Sequence, residues 1–109
     1  MSVVDKAALL ASRGLGTEKV DVPGFGEVEV RGLTRAEALS VQQVGEIDIA
    51  EMERRLLSLA LVEPKLTEDE VGQWQQVATA GELQPVAATV ERLSGLAVKA
   101  VKAEMQRFR

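Results

Sequence analysis

The sequence contains no cysteine and no histidine. Without cysteine neither a disulfide framework nor a thiolate metal site can form, and nothing points to an oxidising compartment. Without histidine the commonest general base is missing, and the commonest zinc ligands are gone with it, which excludes most familiar active sites. Aromatic residues are scarce: Phe25, Trp74 and Phe108 are the full set, so the core must be aliphatic, a composition that packs well between helices. Basic residues are in the minority, with 13 Lys and Arg against 17 Asp and Glu and a net charge of −4. A phosphate-binding basic stripe is therefore not expected, and neither is a nucleic-acid partner. Long apolar runs are missing too, since Leu59 to Val62 falls far short of the ~20 residues that span a bilayer. The first twelve residues carry Asp5 within a short apolar stretch and lack the basic start and small-residue cleavage site of a signal peptide. A cytoplasmic protein without a membrane partner is the expectation.

What is present is the composition of an ordinary folded domain. The 109 residues are 46% apolar and 28% charged, enough for one packed core and too few for two. Residues 3–11 are compatible with a short amphipathic helix ending before Arg13-Gly14-Leu15-Gly16, so residues 1–16 read as a helix and a glycine hinge with freedom to move. Residues 17–109 then form a single hairpin-plus-helices domain. Lys19-Val20-Asp21-Val22 and Glu27-Val28-Glu29-Val30-Arg31 alternate polar and apolar residues with period two, and Pro23-Gly24-Phe25-Gly26 between them has turn composition. This predicts a β-hairpin with one wet face, its valine face lying on the helices that follow.

Several helix starts and stops are encoded downstream. Thr34-Arg35-Ala36-Glu37 has capping-box spacing and predicts a helix to about Val44, with Ala38, Leu39 and Val41 making apolar contacts and Gly45 closing it. Asp48 suits an N-cap, and Ile49, Met52, Leu56, Leu57 and Leu59 to Leu61 recur at helical spacing before Pro64 ends the run. Thr67-Glu68-Asp69-Glu70 repeats the capping box with Leu66 and Val71 as a hydrophobic staple. That helix carries Val71, Trp74, Val77 and Ala78 on one side and ends near Gly81. The last stripe, Val86, Val90, Leu93, Ala97, Val101, Met105 and Phe108, is interrupted at Ser94-Gly95 and reads as two helices, or as one kinked helix. The predicted fold is mainly α with a small N-terminal β-hairpin, a compact helical domain of four to five helices.

Candidate chemistry is sparse. The carboxylate clusters Glu68, Asp69, Glu70 and Asp48, Glu51 coincide with predicted helix N-termini, where acids favour the helix dipole, and neither supplies a calcium-loop pattern. Gly14-Leu15-Gly16 and Gly24-Phe25-Gly26 each hold half of a dinucleotide fingerprint in the wrong setting and read as turns. No catalytic residue, cofactor site or metal site is assigned. Lys99, Lys102, Arg107 and Arg109 make the C-terminal segment basic beside an apolar stripe, which suits either an acidic partner or a helix end packed on the core. Trp74 belongs to a residue type enriched in binding hot spots, and its spacing with Val71 and Val77 equally suits the core.

In linear order the chain resembles the tail assembly chaperones of long-tailed bacteriophages. Residues Val20 to Thr34 look like that family's opening hairpin running into its first helix at an Arg-Gly-Leu-Thr junction. Leu56 to Pro64, followed by Leu66-Thr67-Glu68-Asp69-Glu70-Val71, is similar to its central helix, the Leu-Val-x-Pro ending and the capped helix beyond. Val90-Glu91-Arg92-Leu93-Ser94-Gly95-Leu96 and Phe108-Arg109 look like its terminal pattern.

The resemblance implies a helix-rich, non-enzymatic protein of the host cytoplasm, absent from the mature virion. Such a protein binds the tape measure protein, keeps it soluble and so helps tail tube protein to assemble around it. Many members also occur as a longer frameshifted form, of which this chain would be the short version. Candidate partner-binding residues are Phe25, Trp74, Val98, Val101, Met105 and Phe108, and self-association is open. The alternative is a structural component of a phage tail or head-tail joint with the same hairpin-plus-helices plan.

Overall fold

The computed structural model describes residues 3–42 and 48–95. Among these are five helices and one antiparallel sheet of three strands. The first helix, α1 (Lys6–Leu10), is capped by the Asp5 carboxylate, which accepts from the Ala8 amide at 3.1 Å, and none of its residues is buried. Strands β1 (Thr17–Val22) and β2 (Gly26–Arg31) form the expected hairpin, with Val20 opposite Val28 and Val22 opposite Gly26. Period-two alternation sends Val20, Val22 and Val30 into the core while Lys19, Asp21 and Glu27 stay in water.

After the hairpin, Thr34 caps α2 (Arg35–Val41) in a complete capping box with Glu37. The same carboxylate receives both Nη groups of Arg31 at 2.9 Å, a bidentate pair that ties the end of β2 to the start of α2. Asp48 caps α3 (Ile49–Ala60) by accepting from the Glu51 amide at 2.8 Å. A second capping box, Thr67 with Glu70, opens α4 (Glu68–Val77). The acidic clusters singled out in the sequence thus sit at helix N-termini, where Asp48 and Glu70 accept from backbone amides and the others face the positive end of the helix dipole. The last helix, α5 (Gln84–Leu93), has Pro85 in its first turn, where no amide donor is needed, and is closed by Gly95 at φ 72°.

Three features depart from the sequence reading. Helix α3 stops at Ala60, and Leu61–Glu63 forms a third strand, β3, pairing antiparallel with β2. Helical periodicity cannot reveal a three-residue strand appended to a helix, and the sheet is consequently not confined to the N-terminal part of the chain. β3 covers the second edge of β2, whose amides and carbonyls would otherwise lack partners. Leu39 and Ile49, expected as core contacts, are exposed. Ile49 stands at the first position of α3, on the rim of a shallow groove shared with Val41, Met52 and Leu56. Val77 is exposed as well. The expected extension of α2 to Val44, the Gly45 stop and the helix after Gly95 lie outside the described residues.

The core is aliphatic, as the scarcity of aromatics requires. Leu57, Leu61, Val30, Val71, Val86 and Val90 are fully buried, and no polar or charged residue is buried among the described residues. Helix α5 lies on the valine face of the hairpin and against α3, and α4 packs on α3 as well. The α3–α4 contact is close because Gly72 faces the Arg54 side chain. One polar bridge joins distant parts: the Ser94 hydroxyl accepts from the Leu33 amide at 2.7 Å and donates to the Val90 carbonyl at 2.6 Å.

Candidate functional site: an apolar groove at the hairpin turn

The hairpin turn is built by Val22-Pro23-Gly24-Phe25, closed by a 2.9 Å hydrogen bond from the Phe25 amide to the Val22 carbonyl. Proline supplies the fixed φ of the second position, and Gly24, at φ 87°, takes the left-handed third position of a type II turn. This geometry delivers Phe25 to the surface, where 82% of it remains exposed. A phenyl ring held in water at a turn tip gains nothing for the fold, so its hydrophobic free energy is available to a partner.

Facing the turn are Pro64 and Leu66, on the segment between β3 and α4, and then Trp74 and Val77 on α4. Together with Val22 and Val28 they enclose an open groove of about 350 Å³. Trp74 is half-buried on the groove wall, and its indole Nε1 donates to Glu82 Oε2 at 2.8 Å. The other Glu82 oxygen accepts from the Thr79 amide, so one carboxylate fixes both the indole and the loop after α4.

Structure brings together two of the residues that sequence singled out, Phe25 and Trp74, although 49 positions separate them. The other four, Val98, Val101, Met105 and Phe108, lie outside the described residues. Sequence reasoning missed Val77 by assigning it to the core side of α4. At about 100° per residue, Val77 is rotated roughly 120° from Val71. Val71 is therefore fully buried, Trp74 stands at the boundary and Val77 is 84% exposed. The helical angle alone held that signal. The contribution of Pro64 and Leu66 had no local signal, because it depends on β3 turning the chain back past the hairpin.

The charges around the groove are of one sign. Among the described residues lining it, the ionisable ones are Glu27 and Glu82. Glu27 also belongs to the outer face of the sheet, where register places Asp21 opposite Glu27 and Glu29 opposite Glu63, with Lys19 opposite Glu29 as the counter-charge. Arg31, on the same face, is engaged by Glu37. Like charges directly across a ladder are destabilising, so this acidic face is not explained by sheet stability.

Elsewhere, Arg31 holds the Glu37 carboxyl down to about 2, first through its hydrogen bonds, with the Thr34 amide assisting. That perturbation has a structural cause at a helix cap, apart from the residues that line the groove. No group of three or more acidic side chains among the described residues is arranged to hold a metal ion. No helix among them is long and apolar enough to cross a membrane. The chemistry the groove offers is the desolvation of apolar side chains beside fixed negative charge. In comparisons with known proteins, no family model, no curated protein and no solved structure matches this chain.

Proposed function

We propose that this protein is a phage tail assembly chaperone that binds the tape measure protein in the host cytoplasm, keeps it soluble and thereby promotes tail tube assembly, without entering the mature virion. The observation that carries the reading is the open groove between Phe25 and Val77, flanked by Trp74, on a chain whose hairpin, central helix and terminal segment resemble that family in order. A tape measure protein is long and helix-forming, and it exposes apolar stripes until the tube encloses it. Covering such stripes calls for an exposed apolar groove on a stable scaffold, with no need for a catalytic group. The side chains of this groove suit that role, because a phenyl group and a valine stand free and an indole is held in place by Glu82.

Co-expression with the tape measure protein from the same phage tests the role. The expected outcome is transfer of the tape measure protein from the insoluble to the soluble fraction and its co-purification with this chain. A tape measure protein that stays insoluble beside a folded chain refutes the chaperone reading. Recovery of the chain from purified particles would instead favour the structural tail or head-tail joint component.

A further inference from the structure

We propose that the open edge of β1 pairs with the same edge of a second copy, antiparallel and about a two-fold axis at Val20, joining two three-stranded sheets into one. The proposal is independent of the chaperone reading, which rests on the groove at the hairpin turn. It starts from the strand order β1-β2-β3, which gives β1 a neighbour on one side only. The Gly32 amide donates to the Gly16 carbonyl across the hairpin, so alternation turns the backbone groups of Glu18, Val20 and Val22 toward β2 and those of Thr17, Lys19 and Asp21 outward. Among the described residues no backbone hydrogen bond from outside the hairpin reaches those outward groups. Such an edge is a template for another strand.

Charge selects both the occupant and the register. An antiparallel partner must set outward backbone groups against outward ones, which leaves two copies of this edge few choices. Placing Lys19 opposite its own copy, or Asp21 opposite its own, sets like charges across the new ladder and is destabilising. An axis at Glu18 offers Lys19 only Thr17. With Val20 on the axis, Lys19 of each copy faces Asp21 of the other in a hydrogen-bonded pair, and both residues are exposed on the same outer face. A lysine that would guard the edge against self-pairing in one register thus becomes a contact in this one.

The pairing also answers a cost that a single copy leaves standing. Asp21 lies opposite Glu27 within the hairpin, a like-charge pair, and Lys19 of the second copy reaches Asp21 from its open side. On the core side Glu18 is already engaged by Arg92, so no free acid enters the junction there. Helix α5 lies over both β1 and β2. With strands about 4.8 Å apart, the two copies of α5 come to lie about 10 Å from each other, an ordinary helix packing distance. Ala88, one turn before Arg92, keeps that side of α5 slim.

The test is sedimentation equilibrium of the full chain between about 1 μM and about 1 mM, the window of weak association. A monomer-dimer equilibrium is expected. Lys19→Asp and Asp21→Lys should each weaken it at least ~10-fold, because two attractive cross-strand pairs become two repulsive ones. Both positions are exposed, so neither change threatens the fold. The double variant Lys19→Asp with Asp21→Lys leaves net charge unchanged and sets acid against base again, so it should recover most of the lost affinity. Amide hydrogen exchange locates the contact: Lys19 and Asp21 should exchange more slowly as protein concentration rises, whereas Glu18 and Val20, already bonded to β2, should not respond.

A chain that stays monomeric throughout, a dimer indifferent to Lys19→Asp and Asp21→Lys, or a double variant no tighter than the single ones overturns the proposal. So does protection of the Lys19 and Asp21 amides at the lowest concentration, which would place another segment of the same chain along the edge.

Discussion

Replacing Gly32 by alanine should destabilise the protein through one defined collision. Gly32 leads from β2 into α2 at the point where the end of α5 crosses, and a Cβ on it would lie 2.7 Å from the Leu93 carbonyl oxygen and 2.9 Å from its carbonyl carbon. Ordinary contact begins at 3.4 Å, so the two backbones must separate by the difference from 2.7 Å, about 0.7 Å. Neither can retreat easily. The Leu33 amide is bound to the Ser94 hydroxyl at 2.7 Å, and the Gly32 amide donates to the Gly16 carbonyl at 3.1 Å. Overpacking of this kind costs about 1–3 kcal/mol, while alanine recovers ~0.4–1 kcal/mol by restricting the unfolded chain. The net loss is about 1–2 kcal/mol, which lowers the urea midpoint by roughly 0.5–1 M for a small domain. Urea titration followed by Trp74 fluorescence measures it. Gly14→Ala is the control, because nothing lies within 4 Å of a Cβ there and its φ is not left-handed, so its change should stay within about 0.5 kcal/mol. A Gly32→Ala midpoint equal to that of Gly14→Ala would refute the reasoning.

Three further outcomes are expected. Glu37, lowered from 4.5 to about 2 by Arg31 and the Thr34 amide, contributes stability that is present above pH 4.5 and lost as pH falls toward 2. Because the pair is partly exposed, screening limits this to about 1 kcal/mol, and Glu37→Gln should remove that part of the acid dependence in titrations of midpoint against pH. Leu57→Ala leaves a cavity at a fully buried position and should cost about 2–5 kcal/mol in the same urea assay, a loss that threatens the whole fold. Ser94→Ala strips the Leu33 amide of its acceptor, with an expected loss of ~1–3 kcal/mol and faster amide hydrogen exchange at Leu33 than at the neighbouring buried Val30.

Much of this protein is decided within a few residues of sequence. The two capping boxes, the Asp48 cap, the Pro23-Gly24 turn and the glycine stop at Gly95 each depend on contacts over one helical turn or less, and all are found where the residues place them. Valine alternation set the hairpin and its buried face by the same local logic. The third strand was not legible, because Leu61–Glu63 continues an apolar helical pattern and becomes a strand by pairing with β2, which ends thirty residues earlier. Nor was the groove. Phe25 and Trp74 could be named from their residue types, but their meeting, the outward rotation of Val77 and the wall made by Pro64 and Leu66 depend on how α3, β3 and α4 fold back past the hairpin. Caps, turns and alternation are short-range and so are written in neighbouring residues, whereas a surface shared by distant segments exists only once the burial of Leu57, Leu61 and Val71 has fixed where each of them runs.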